Sequence, residues 1–523
     1  MPAELIRPTY LEPPKDREIQ SNCNLVTIYL TQKGVESFLS TGKNGDGSLK
    51  LSVMGYRAGI DGQHRAQGGA GIVVIDEDGT YRVVRGRGFV NDVFSEGRDL
   101  PQVSRPKILT LQTRYPTSGD PNDANNLQPF HLDGLWFGHH GNLTNTEEIE
   151  EKFGPIEKGD KLPNTDSWVA INAIYKAPGK TLGEKLINAQ KHFEGAWAFT
   201  VTDGKTVVAS RDPHGIRPLS VGYLGPEDNP LGFVVSVESC VFENMGITKY
   251  REVEPGETIQ IDENGITKLD SSPKEEMLSV FEHVYMAWPS SVIGGELVGN
   301  VRARFGAELQ REDNIELAED ERLIVVPVPD SGRDAASGYY NEARKKFGAD
   351  RIHIDEPIKN NRYVGREFIK NKDEIDPANK FHIMPINFEK LGIPQGSKYR
   401  IVIVEDSIVR GKTIKSLLRK CHAIWGGHNI DVRVASPEVK SPCYWGVAHG
   451  TYEELLHTKA ESIEEKEVFL GLVVDGVRNG TLRYLSLEGM EKASGRKGRL
   501  CTSCFGGRGP ELPKSVIPLT ATY

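Results

Sequence analysis

No run of about 20 apolar residues, the length a helix needs to cross a bilayer, occurs in this chain. Excess positive charge is missing too. Sixty-four basic residues stand against 73 acidic ones, for a net charge of −9. That gives no general attraction to nucleic acid or to an anionic membrane, so neither is an expected partner. The first residues carry prolines and charges but no apolar core of a secretory leader, which makes the cytoplasm the expected location. Cysteine is scarce, at six in 523 residues. In a reducing compartment a chain of this size does not use them as a disulfide framework. Each is a core thiol, a metal ligand or a nucleophile. Internal repeats and low-complexity blocks are absent as well, so the length points instead to about two to four globular domains.

The most informative stretch is Ile401-Val-Ile-Val-Glu-Asp-Ser-Ile-Val-Arg-Gly-Lys-Thr413. Four apolar, mostly β-branched residues predict a strand buried on both faces. Glu405 and Asp406 stand at its carboxyl end, where ligands bind in open α/β sheets. The small-residue turn that follows leads into a helix and offers backbone N–H groups to a phosphate. The two acids would repel that phosphate. They suit sugar hydroxyls, or a magnesium ion bridging to a second phosphate. Upstream, Leu323-Ile-Val-Val-Pro-Val328 is a second buried strand, ending in the tight turn Pro329-Asp-Ser-Gly-Arg333. Near the amino end, Cys23 opens the strand-like run Leu25-Val-Thr-Ile-Tyr-Leu30, and residues 1–22 read as a disordered or removable tail. Cys501-Thr-Ser-Cys504 has a spacing that on its own fits zinc, an iron–sulfur cluster or chance.

Val404-Glu-Asp-Ser-Ile-Val-Arg-Gly-Lys-Thr413 resembles the phosphoribosylpyrophosphate (PRPP) loop of type I phosphoribosyltransferases, in the form used by glutamine PRPP amidotransferases. The resemblance implies that Glu405 and Asp406 hold the ribose hydroxyls. It implies that Ser407, Arg410, Gly411, Lys412 and Thr413 cradle the 5-phosphate, and that Asp330, Ser331 and Gly332 face the pyrophosphate. Ser331, Glu405 and Asp406 would surround magnesium. Asn361-Arg-Tyr-Val-Gly-Arg-Glu-Phe368 resembles the family's lid, which would bring Arg362, Tyr363 and Arg366 over PRPP.

The first half carries the same resemblance. Gln63-His-Arg-Ala-Gln67, Thr113-Arg-Tyr-Pro-Thr117, Gly141-Asn-Leu-Thr-Asn145 and Asn164-Thr-Asp-Ser167 follow the family's order. They imply Cys23 as an N-terminal nucleophile freed by loss of residues 1–22, with its own α-amino group as base. Glutamine would be held by Arg65, Arg114, Thr117 and Asp166, with His140 and Gly141 at the oxyanion. Cys240, Cys443, Cys501 and Cys504 stand in the contexts of the subtype that carries a four-iron four-sulfur cluster. The chain departs from the family pattern in places. Asn24 replaces the glycine after the nucleophile, and His140 replaces the oxyanion asparagine. Lys359 is displaced by one residue, leaving Asn360 in its place, and the arginine-rich stretch after the lid is thinner.

The fold this implies has two parts. An N-terminal Ntn-hydrolase αββα sandwich spans residues 23–265. A type I phosphoribosyltransferase with a doubly wound parallel sheet spans 275–510, with a charged, Pro-containing linker at about 262–276. The implied reaction transfers glutamine-derived ammonia to PRPP, giving 5-phosphoribosylamine, glutamate and pyrophosphate. Purine nucleotides are the implied inhibitors, and a homodimer or homotetramer is the implied assembly. The departures support a competing expectation, a paralogue with impaired glutaminase that uses free ammonia or only binds PRPP or nucleotides.

Overall fold

The computed structural model describes residues 4–7, 23–40, 48–114, 123–154, 162–360, 381–394, 396–426, 429–447 and 451–511. In the first half, the alternation along Leu25–Leu30 shows how the layers form. Val26, Ile28 and Leu30 pack with Leu51 and Ala58 of the helix Ser48–Asp61, while Leu25 and Tyr29 pack with Trp136, Ala198 and Val207. A strand apolar on both faces must lie inside a layered stack.

Two sheets form that stack. The larger runs Glu4–Arg7, Tyr81–Arg87, Gly69–Asp76, Pro106–Arg114, Leu25–Leu30, Gly232–Ser236, Ser220–Leu224, Tyr250–Glu252. The smaller runs Gly265–Ser271, Glu257–Asp262, Val207–Arg211, Gly195–Thr202, Leu135–Leu143, Phe130–Leu132. Their inner faces share one core, and the helices Asp166–Lys176 and Leu182–Gln190 cover the outside of the smaller sheet. This is the expected αββα sandwich.

Two segments differ from the sequence reading. Part of the tail is a strand, since Glu4–Arg7 pairs in parallel with Val83–Gly86 at the sheet edge. About half of the expected linker is also a strand. Gly265–Ser271 folds back antiparallel on Glu257–Asp262, through a turn in which Asp262 accepts from the Asn264 N–H at 2.8 Å. An edge strand with a half-exposed face carries as many charges as a linker does, so composition could not separate them.

The second half is the expected parallel sheet, in the order Ile352–Ile354, Glu321–Pro327, Lys398–Glu405, Ile430–Val434, Leu482–Tyr484. Val402 and Val404 face the helices Val298–Glu312 and Gly332–Phe347. Ile401 and Ile403 face the helix Lys412–Trp425. The strand read as buried on both faces is so.

The halves are stitched along a connector. Lys274 N–H donates to Pro213 O at 2.8 Å, Met277 N–H to His214 O at 2.8 Å, and Ser279 N–H to Ile216 O at 3.1 Å. Leu278–Ser279 also pairs in parallel with Leu500–Cys501, which brings the C-terminal cysteines to the seam.

Candidate active sites

Cys23 lies buried just before the strand Leu25–Leu30. Its neighbour Asn24 fixes the turn. Asn24 N–H donates to Thr113 Oγ1 at 3.2 Å, Thr113 N–H returns to Asn24 O at 3.0 Å, and Asn24 Nδ2 donates to Ala58 O at 3.2 Å. A Cβ at Gly62 would run into the Asn24 amide, so the side chain that replaces the expected glycine is admitted by a glycine opposite it. Arg114 ends the adjacent strand. Burial depresses its guanidinium, while Cys23, Asp166 and Asp123 supply the compensating negative charge. Asp166 opens the helix Asp166–Lys176, and its Oδ2 accepts from the Leu143 N–H at 3.0 Å. Gly141, two residues earlier, has φ 145°, and a Cβ there would meet the Ala196 carbonyl. Only glycine fits at that point of the strand Leu135–Leu143. The structure therefore gathers a thiol, a cation suited to an α-carboxylate, an anion suited to an α-amino group, and a glycine N–H. Thr117 lies outside the described residues.

Arg65 and His140 face a cluster of buried charges. Arg65 is fully buried and is held by Glu238 and by Glu282, the latter at 2.6 Å. Arg217 reaches Glu282 at 3.3 Å, and His140 Nε2 lies 4.0 Å from the same carboxylate. Burial, reinforced by Arg65 and Arg217, holds the His140 imidazole well below its ordinary range, so the ring is neutral. Burial would raise Glu238, but Arg65 and His64 keep it well below the usual carboxylate range. Glu238 also accepts from Trp288 N–H and from Ser291 Oγ, the latter at 2.8 Å. Two arginines and two glutamates thus lie buried between the halves. Sequence reasoning missed Glu238, Glu282 and Arg217. One signal was available: Glu282 interrupts the apolar run Phe281-Glu-His-Val-Tyr-Met286, and a buried charge requires a partner.

At the second site the two expected loops touch. Ser331, which begins the helix Gly332–Phe347, hydrogen-bonds Asp406 instead of capping the helix. Ser407 Oγ donates to Asp406 Oδ1 at 2.6 Å, and Glu405 Oε1 accepts from the Asp406 N–H at 3.0 Å. Burial raises the Asp406 carboxyl against the opposing effect of these hydroxyls and of Arg302. Gly411 takes the left-handed conformation, φ 75°, at the start of Lys412–Trp425, whose first turn holds Lys412 and Thr413. Arg410 pairs with Glu454 at 3.2 Å. Asp330 lies at the rim, paired with Arg333 at 3.0 Å. Arg362, Tyr363 and Arg366 are outside the described residues.

Cys443, Cys501 and Cys504 come together. Burial raises the thiols of Cys501, to about 11, and Cys504, and Cys443 raises both further. Cys240 packs into another core, with its N–H donating to Ser291 Oγ at 3.2 Å. Among the described residues, no group of three or more His, Cys, Asp or Glu side chains is arranged to hold a metal ion. Among them, too, no helix is long and apolar enough to cross a membrane.

A glutamine amidotransferase domain family matches residues 119–237. The amidophosphoribosyltransferase of Mycobacterium leprae is 33% identical over 468 residues, 87% of this chain and 79% of its own. That of Bacillus subtilis is 31% identical over 466 residues, 86% of this chain and 89% of its own. The solved B. subtilis glutamine PRPP amidotransferase, complexed with ADP and GMP, superposes with a TM-score of 0.74 at 27% identity, covering 95% of this chain and 99% of its own. A structure solved as the allosteric regulatory enzyme of purine biosynthesis superposes with a TM-score of 0.75 at 28% identity, covering 93% and 96%.

Proposed function

This chain belongs to the amidophosphoribosyltransferase family, and from that premise we propose that it hydrolyses glutamine at Cys23 and passes the ammonia to PRPP in its second half. The products are 5-phosphoribosylamine, glutamate and pyrophosphate. The observation that carries this reading is the pairing, on one chain, of the Cys23–Arg114–Asp166 pocket with the Ser331–Asp406 loops. In the first pocket Arg114 takes the glutamine carboxylate, Asp166 takes its ammonium, and the thiol attacks the amide carbon. The Gly141 N–H stabilises the oxyanion. With residues 1–22 removed, the α-amine of Cys23 accepts the thiol proton.

In the second pocket Glu405 and Asp406 orient the ribose hydroxyls. The turn from Ser407 to Thr413 receives the 5-phosphate at a helix N-terminus, where N–H groups and the dipole favour an anion. Ammonia then displaces pyrophosphate from the anomeric carbon. Most of the catalysis is orientation and charge stabilisation.

Magnesium fits this site. A buried carboxylate raised by desolvation and flanked by hydroxyls is a hard-oxygen donor set. Ser331, Glu405 and Asp406 would hold the ion, which neutralises pyrophosphate when bound. Asp406→Asn is expected to lower glutamine-dependent and ammonia-dependent pyrophosphate release equally, by about 10²-fold. Loss of only the glutamine-dependent reaction would contradict the assignment.

The sequence contexts of Cys240, Cys443, Cys501 and Cys504 support a structural four-iron four-sulfur cluster, which these four thiolates would hold although the described residues form no ready metal group. Protein purified under nitrogen is expected to be brown and to hold about four irons per chain. Colourless, iron-free protein would remove the cluster from this reading. We extend nucleotide binding from the solved relative with ADP and GMP to this chain, with a homodimer or homotetramer as the assembly and the cytoplasm as the location.

One observation favours a second reading. The ring at position 140 faces the buried charge cluster, where it takes the place of the family's oxyanion asparagine. An enzyme that uses only free ammonia would show pyrophosphate release with ammonium and none with glutamine.

A further inference from the structure

We infer that Asn142 is a positioning residue for glutamine hydrolysis, holding the strand end at Gly141 in place by donating across the seam to the backbone of the cysteine-bearing loop. This rests on the glutaminase reading above and deepens it. Side chains alternate along a strand, so His140 and Asn142 of Leu135–Leu143 face the same way. That direction is the seam: His140 approaches Glu282, and Asn142 Nδ2 donates to Tyr444 O at 3.1 Å.

Tyr444 follows Cys443 and precedes Trp445, whose carbonyl accepts from Arg217 Nε at 3.0 Å and again from its Nη2. Ala196, the ladder partner of Asn142, is buried with Ile216, Met277, Trp445 and Cys501, and Cys443 and Tyr444 pack against that group. The loop from the second half is thus bonded at two successive carbonyls by two residues of the first.

Gly141 explains why this grip matters. It has no side chain to lock its orientation, and it sits at φ 145°. Glycine crosses a broad range of φ and ψ at little cost. The direction of its N–H is therefore set by the ladder pairs on either side, His140 with Ala198 and Asn142 with Ala196. Of the seam-facing neighbours, His140 is a neutral ring and Asn142 is hydrogen-bonded to Tyr444. Removing the amide loosens the Asn142 side of that register without touching the thiol, Arg114 or Asp166. An oxyanion donor misplaced by about 1 Å costs on the order of 10²-fold in rate.

The test uses the protein with Cys23 as its first residue and every later residue kept. Asn142→Leu keeps the size and removes the donor. It is expected to lower kcat for glutamine hydrolysis by about 10- to 100-fold, with KM for glutamine unchanged within about twofold. Ammonia-dependent pyrophosphate release should stay within about twofold of the parent protein, which also shows that the variant is folded. Alkylation of Cys23 by iodoacetamide, which needs no oxyanion donor, should keep its rate. Asn142→Gln, which retains an amide donor, should recover most of the loss.

Slower alkylation in Asn142→Leu would mean that the thiol itself had moved, and would overturn the inference. So would an equal fall in both activities, or a change in KM alone. If the parent protein released no pyrophosphate with ammonia, the transferase reading would fail, while the hydrolysis and alkylation comparison would still decide the role of Asn142.

Discussion

Cys23→Ala is expected to abolish glutamine-dependent transfer, by about 10⁴-fold or more, and to leave ammonia-dependent transfer within about twofold. The expectation follows from how the first pocket is built. In the proposed reading the thiol is the nucleophile, and it lies close enough to Arg114 to act on its charge, as Asp166 does. Removing it leaves binding groups for the substrate but no atom to form the acyl intermediate. The second pocket draws its groups from the loops after Glu321–Pro327 and Lys398–Glu405, and none of them passes near residue 23 in sequence. The same logic applies to the tail. A form that retains residues before Cys23 has no free α-amine at that cysteine, and should be as inactive with glutamine as the alanine variant. Intact mass of active material and the two pyrophosphate assays decide the matter together. Glutamine use by Cys23→Ala would place the nucleophile elsewhere, and glutamine use by a form still carrying Met1 would rule out the Cys23 α-amine as its base.

Glu282→Leu is expected to destabilise the folded protein by about 3–5 kcal/mol, because it leaves buried guanidinium charge without its partner. The side chains of Glu282, Arg65 and Arg217 are all fully buried, and the carboxylate serves both arginines, at 2.6 and 3.3 Å. Arg65 keeps Glu238, so the cluster falls from two anions for two cations to one. At about 2–4 °C per kcal/mol for a domain of this size, the first thermal transition should drop by roughly 10 °C. The exposed pair Lys249–Glu227, 3.1 Å apart, is the control. Glu227→Gln is expected to change stability by less than about 1 kcal/mol, since solvent screens that pair. An unchanged transition in Glu282→Leu would show that the seam is hydrated and that the arginines find water instead.

How much of this was legible beforehand depended on whether the signal was local. The strand Ile401–Val404 announced itself by four apolar residues in a row, and the acids at its end by their place in the chain. The αββα layering was implied by the family resemblance, while Leu25–Leu30 by itself showed only a strand-like run. The strand Gly265–Ser271 was not legible, because a polar edge strand and a linker share a composition. The side-chain directions of Arg65 and His140 were not legible either, since a motif places a residue in order but does not aim it.

The chemistry of each half was written in the chain: a cysteine before a strand, an acid pair after one, and small-residue turns between. These are short-range patterns in which backbone geometry and side-chain type act within a few residues of each other. Only the tertiary structure joined them. Glu238, Glu282, Arg217, Asn142 and the carbonyls of Tyr444 and Trp445 meet from segments that are far apart in the chain. Buried charges demand partners, but nothing in a sequence says which distant segment supplies them. That choice is made by the packing of one layered half against the other.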